Sequence, residues 1–174
     1  MKRFFAAVLA LLTLFSLFGC TTEVIPPSEP GTDVISFETA DLDGAAVKSA
    51  DIFGKNKITM INIWASWCGP CQSELPALER LSAELNDMGC GLIGILDDGD
   101  TDDGRASAAS IMEALGITYP VLISNSSIRE QLTFRYYPTT FFVDSEGRLV
   151  GEPIIGAQVD SYLPAVQALL ASRD

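Results

Sequence analysis

Ile58 to Trp64 forms a predominantly apolar, branched run, which suits a strand buried on both faces. Shortly after it come Cys68-Gly69-Pro70-Cys71, and then Leu75, Leu78, Leu81 and Leu85 at helical spacing, with Gly89 as the stop. Strand, turn and helix must therefore meet at the two cysteines. A cysteine at a helix N-terminus faces unpaired N–H groups and the positive end of the helix dipole, both of which favour thiolate. A second cysteine one turn later is close enough to attack a mixed disulfide formed on the first. Pro70 in the first turn costs no helical hydrogen bond and stiffens the loop. An inert disulfide or half of a zinc site uses the same spacing, but a second ligand pair for zinc is missing.

The 174-residue chain contains no histidine. That removes Ser-His-Asp and Cys-His catalysis, along with His-bearing zinc, copper and haem sites. With only Cys20, Cys68, Cys71 and Cys90 available, a four-thiolate metal site would need every cysteine, so no metal and no other cofactor is expected. The formal charge is −12, from 23 acidic and 11 basic residues. Such a surface repels nucleic acid, whose binding is led by Lys and Arg contacts to phosphate.

Lys2 and Arg3 precede an apolar run from Phe4 to Phe18. A basic start followed by about fifteen apolar residues fits a secretory signal better than a spanning helix, which needs about twenty. Leu17-Phe18-Gly19-Cys20 resembles the lipobox of bacterial lipoproteins, in which the cysteine is lipidated and becomes the mature N-terminus. Phe18 is bulkier than the small residue usual there, and an uncleaved helical anchor is the alternative. Residues 1–19 are thus expected to be a lipoprotein signal peptide, with Cys20 as the lipidation site. Residues 20–33, with Pro26, Pro27, Pro30 and Gly31, form a flexible tether, and residues 34–174 form one folded domain.

Within that domain Val34 to Phe37 reads as a short strand, followed by an Asp41-Leu42-Asp43-Gly44 turn into a second. Gly91 to Leu96 reads as a strand, Arg105 to Leu115 as a helix ended by Gly116, and Tyr119 to Ile123 as a strand. Ser127 to Phe134 is a candidate short helix. Thr140 to Asp144 and Leu149 to Pro153 flank the hairpin turn Ser145-Glu146-Gly147. Asp160 to Ser172 closes the chain as an amphipathic helix. Alternating strands and helices predict an α/β fold with a parallel-rich sheet covered on both faces, made mixed by the late hairpin. Cys90 reads as a buried free thiol. The acidic run Asp97 to Gly104 fails as an EF-hand loop, since Asp103 stands at the required glycine and Ala109 at the bidentate glutamate. It reads as a solvated loop before a helix.

The segment Ile61-Asn62-Ile63-Trp64-Ala65-Ser66-Trp67-Cys68-Gly69-Pro70-Cys71 resembles the active-site segment of the thioredoxin superfamily. Gln72-Ser73-Glu74-Leu75-Pro76 is similar to the continuation in its extracytoplasmic TlpA/ResA branch. Tyr137-Pro138-Thr139-Thr140-Phe141-Phe142-Val143-Asp144 is similar to the cis-proline strand. The resemblance implies a three-layer thioredoxin-like fold with a mixed central sheet, an N-terminal β-hairpin and an inserted strand–helix unit near Asp97 to Leu122.

It further implies that Cys68 is the exposed nucleophile and Cys71 the buried resolving thiol of a redox-active disulfide. Trp67, Gly69, Pro70, Tyr137, Pro138 and Gly156 would bind substrate, with Pro138 cis. Asn62 stands where thioredoxins proper carry a buried Asp. Glu74 matches an active-site Glu of the branch and could exchange a proton with Cys71; a dipole-stabilised surface Glu is the plainer reading. The activity implied is thiol–disulfide exchange as a protein-disulfide reductase, for cytochrome c maturation or repair enzymes. A disulfide-forming oxidase and a non-catalytic lipoprotein binding module are the alternatives. Implied partners are protein disulfide substrates, a membrane electron donor of the CcdA/DsbD type, and the membrane itself through a lipid anchor. A lipid-anchored monomer on the extracytoplasmic face of the bacterial cell membrane is expected, with no nucleic acid.

Overall fold

The structure, a computed structural model, describes residues 34–173. The signal peptide, Cys20 and the tether expected from the sequence lie outside the described residues. Two short strands, β1 (Glu38–Ala40) and β2 (Ala46–Lys48), form an antiparallel hairpin, followed by a one-turn helix α1 (Ser49–Phe53). The main chain of the fold then runs β3 (Ile58–Trp64), α2 (Gly69–Asp87), β4 (Gly91–Leu96), α3 (Asp102–Leu115), β5 (Val121–Ile123) and α4 (Ser126–Gln131). It finishes with β6 (Thr139–Asp144), β7 (Ile154–Ile155) and α5 (Val159–Ala171). No helix among the described residues is long and apolar enough to cross a membrane.

The central sheet has the order β5-β4-β3-β6-β7. β3, β4 and β5 are parallel, and β6 and β7 run antiparallel to their neighbours. The period-two pattern of β3 explains its central place. Met60 and Trp64 point into one core with Leu75, Leu78, Leu85, Tyr162 and Val166 of α2 and α5. Ile61 and Ile63 point into the other with Phe37, Phe53, Ile93, Ile95 and Ile128. Every residue of β3 is buried. Each large aliphatic side chain so buried contributes about 1.5–3 kcal/mol, which pins the register that carries the cysteines. This is the mixed three-layer thioredoxin-like fold, with the hairpin stitched to β5 through the Asp41–Leu122 bridge.

Several boundaries differ from the sequence expectation. Val34 to Phe37 is not a strand: Val34 makes one bridge to Arg148, while Ile35 and Phe37 are apolar because they fill the second core. Leu149 to Pro153 is not a strand either. The turn at Gly147 forms, with Gly147 N–H donating to the Asp144 carbonyl at 3.0 Å. The return arm makes a single bridge from Leu149 to Val143, breaks at Gly151 in a left-handed conformation at φ 68°, and pairs with β6 again at Ile154–Ile155. Helix α3 begins three residues before Arg105, because Thr101 caps it through a hydrogen bond from Gly104 N–H at 3.0 Å.

Candidate active site

The parallel strands β3 and β4 end side by side, and the loops leaving such ends commonly carry function. The β3 loop delivers Cys68 as the N-cap of α2, with its Sγ accepting a hydrogen bond from Cys71 N–H at 3.2 Å. Cys68 and Cys71 are joined by an S–S bond of 2.04 Å. The nucleophile expected to be exposed is in fact buried in this oxidised state, at 5 % exposure against 0 % for Cys71. The bond to a sealed partner and the helix end together leave Cys68 little surface. Gly69 and Pro70 are exposed beside it.

Trp67 stands 68 % exposed next to the disulfide. Its ring meets that of Tyr137 edge-on at 5.4 Å. The Tyr137–Pro138 peptide is cis. The Pro138 carbonyl accepts from Gly156 N–H at 2.8 Å, and Gly156 reaches that bond at φ 86°, a conformation glycine adopts without penalty. Six of the expected substrate-side residues therefore form one contiguous rim. Next to it Phe134, Arg135, Tyr136, Pro153 and Ile155 line a groove of about 210 Å³.

Beneath the dithiol lies a buried polar cluster. Glu74 is on the same helix face as Cys71, one turn later, and is only 2 % exposed. It is a core residue, not a surface carboxylate of the first turn. Asn62 Nδ2 donates to Glu74 Oε1 at 2.8 Å, and the Tyr162 hydroxyl donates to Oε2 at 2.8 Å. Asn62 Nδ2 also donates to Thr140 Oγ1 at 3.1 Å. No cation joins this cluster among the described ion pairs. Burial pushes the Glu74 carboxyl pKa up, and the hydrogen bonds from Tyr162 and Asn62 offset only part of that. A carboxyl with a raised pKa thus lies one turn along the helix from Cys71.

Sequence reasoning missed two parts of the site. Tyr162 is not among the expected site residues, although a buried Tyr needs a hydroxyl partner. The first residues of the acidic run are not solvated: Asp97 and Asp98, at the end of β4, hydrogen-bond to Tyr137 and Ser66. Their place at a parallel-strand end was the available signal. Cys90 is free and buried at the start of β4, the opposite end from the disulfide, and burial raises its pKa. Among the described residues no group of His, Cys, Asp and Glu side chains could hold a metal ion.

Residues 30–151 match the AhpC/TSA family. The chain belongs to that family. It is also similar to the thiol-disulfide oxidoreductase ResA of Bacillus thuringiensis strain Al Hakam, at 28% identity over 137 residues, covering 76% of this chain and 73% of the relative. A similar solved structure is that of a putative thiol:disulfide interchange protein DsbE from Chlorobium tepidum, with a TM-score of 0.67 and 21% identity, covering 82% of this chain and 96% of that one. Another is the exposed lipoprotein thioredoxin Etrx1 of Streptococcus pneumoniae strain TIGR4, with a TM-score of 0.60 and 28% identity, covering 76% and 98%. Family, fold and bonded cysteine pair together make the chain a thiol–disulfide oxidoreductase of the thioredoxin fold.

Proposed function

We propose that this oxidoreductase works as a reductase of protein disulfides, tethered by lipid at Cys20 to the extracytoplasmic face of a bacterial membrane. The observation that carries the direction is that, among the described residues, no Lys or Arg side chain is hydrogen-bonded to either sulfur of the dithiol. Of the basic residues near the rim, Arg129 is engaged by Asp97 and Asp100, and Arg135 lines the neighbouring groove. Thiolate at Cys68 is then favoured only by its helix-end position, and a modestly stabilised thiolate goes with a reducing couple.

In this reading reduced Cys68 attacks one sulfur of a substrate disulfide, forming a mixed disulfide and expelling the first substrate thiolate. Cys71 gives its proton to the Glu74 carboxylate and attacks Cys68 Sγ. The second substrate thiolate leaves, and the Cys68–Cys71 disulfide of the structure results. Two electrons have passed to the substrate, and a membrane dithiol donor of the CcdA/DsbD type would restore them. Trp67, Tyr137, Pro138 and Gly156 would hold the substrate strand across the disulfide. Extracytoplasmic protein disulfides, such as those of apocytochrome c or oxidised repair enzymes, are the substrate class. Similarity to Etrx1, an exposed lipoprotein thioredoxin, supports the placement, and similarity to ResA, a thiol-disulfide oxidoreductase, supports the exchange.

The potential should lie roughly below −200 mV, nearer thioredoxin's than DsbA's. A value of about −120 mV would make the protein an oxidase. Cys71→Ser should trap substrates on Cys68, and Cys68→Ser should trap none. For the anchor, Cys20→Ala should abolish acylation of the mature N-terminus; an unacylated wild-type protein by mass spectrometry removes the lipoprotein reading.

A further inference from the structure

The acidic run has no part in the exchange steps above, yet its first two side chains hold opposite walls of the substrate gap. Asp98 Oδ1 accepts from Ser66 N–H at 2.9 Å, and Oδ2 accepts from the Ser66 hydroxyl. Ser66 lies two residues before Cys68, and its carbonyl accepts from Gln72 Nε2 at 2.6 Å. The dithiol loop is thereby held from both sides. Asp97 Oδ2 accepts from the Tyr137 hydroxyl on the cis-proline loop. Its other oxygen accepts from Arg129 Nε at 2.8 Å, and its own N–H is bonded to the Trp64 carbonyl at 2.8 Å.

The ring closes across the gap where Trp67 meets Tyr137 at 5.4 Å. The loop that carries both carboxylates is itself clamped by α3. Thr101 Oγ1 donates to the Asp98 carbonyl at 3.0 Å, and a Cβ at Gly104 would stand 2.0 Å from that same carbonyl oxygen. Asp98 takes no cationic partner among the described ion pairs, on a chain of net charge −12. A second negative charge there is poorly explained by stability alone. Both carboxylates use both of their oxygens as acceptors, which Asn cannot imitate.

We propose that Asp97 and Asp98 are positioning residues that fix the gap between the dithiol loop and the cis-proline loop, and so govern docking of protein disulfides. The inserted helix would then serve as the buttress of that gap. The proposal rests on the exchange reaction given above, in whichever direction it runs.

The test compares wild type with Asp97→Asn, Asp98→Asn and Tyr137→Phe, using insulin and a small aromatic disulfide as substrates. Removing one hydrogen bond to a charged group should raise the KM for insulin about ten-fold, with a smaller effect on kcat. The ratio of protein-disulfide to small-disulfide efficiency should fall by a similar factor. Asp97→Asn combined with Tyr137→Phe should lose no more than Asp97→Asn alone, since that variant already removes the carboxylate partner of the Tyr137 hydroxyl. Equal losses on both substrates, full additivity, or an unchanged KM would each overturn the proposal. Tyr137→Phe removes only a hydroxyl, so it keeps the test meaningful if an Asn variant unfolds. If wild type fails to reduce insulin, the reductase reading falls. The same KM ratios are then read on the oxidised protein with a reduced protein dithiol, because the reverse exchange passes through the same mixed disulfide.

Discussion

Two carboxylates flank one disulfide, and they are held in opposite ways. Glu74 lies on the floor, 2 % exposed, and receives only neutral donors from Asn62 and Tyr162. Asp97 lies on the rim, with Tyr137 on one oxygen and Arg129 on the other. Burial is the largest influence on both and raises both. At Glu74 it prevails, so the pKa goes up. At Asp97 the hydroxyls of Tyr137 and Ser124, then the hydrogen bond and charge of Arg129, overcome burial and take the pKa down. The rim thus has more donors than the floor, and a cation among them. The floor keeps a group that can trade a proton, while the rim keeps one that stays charged and acts as an anchor.

The widest expected effect comes from removing the exchangeable proton. Glu74→Gln preserves shape and should lower turnover by about 10²-fold, the lower end of general acid–base assistance. Wild-type turnover should climb with pH as Glu74 ionises above its ordinary value of 4.5, and the variant should lack that limb. Stability should follow the opposite course. The folded-state pKa is raised, so the contribution of Glu74 is complete below 4.5 and is lost as pH rises through the folded value. Denaturant midpoints across that range should decline in wild type and flatten in Glu74→Gln. An unchanged rate and pH profile would reduce Glu74 to a packing residue and erase the contrast with Asp97.

The parts of this site that sequence made legible are those with local signatures. β3 and β4 match their apolar runs residue for residue, and the leucine spacing marked α2, which begins at Gly69 with Cys68 as its N-cap. The cysteines, Trp67, Tyr137, Pro138 and Gly156 stood in recognisable segments that the fold brings together. The floor and rim depend instead on contacts between distant positions. Tyr162 reaches Glu74 across 88 residues, Tyr137 reaches Asp97 across 40, and Ser66 reaches Asp98 across 32. No periodicity encodes such pairs. A run of aspartates reads as solvated until the strand that ends in it is placed beside the cysteine loop. The short α1 and the displaced β7 escaped for a related reason: neither has a capping side chain or a run long enough to carry a period.

A smaller effect should come from making the rim resemble the floor. Arg129→Met withdraws one hydrogen bond and the charge that help hold Asp97 below its ordinary value of 3.8, leaving the Tyr137 and Ser124 hydroxyls. Burial is then opposed by fewer groups, and the Asp97 pKa should move up. In wild type the depressed pKa means that Asp97 contributes stability above 3.8, and this is lost as pH falls through the lower folded value. In the variant that acid-side loss should shrink or reverse, because a raised pKa makes ionisation a cost as pH rises. At neutral pH the destabilisation should be modest, about 1 kcal/mol, since Arg129 is 39% exposed and solvent screens much of the pair. Unfolding curves from pH 3 to 7 on both proteins read the difference. A gap between them that is constant with pH would mean that Arg129 acts by packing alone, and that the cation does not separate the two carboxylates.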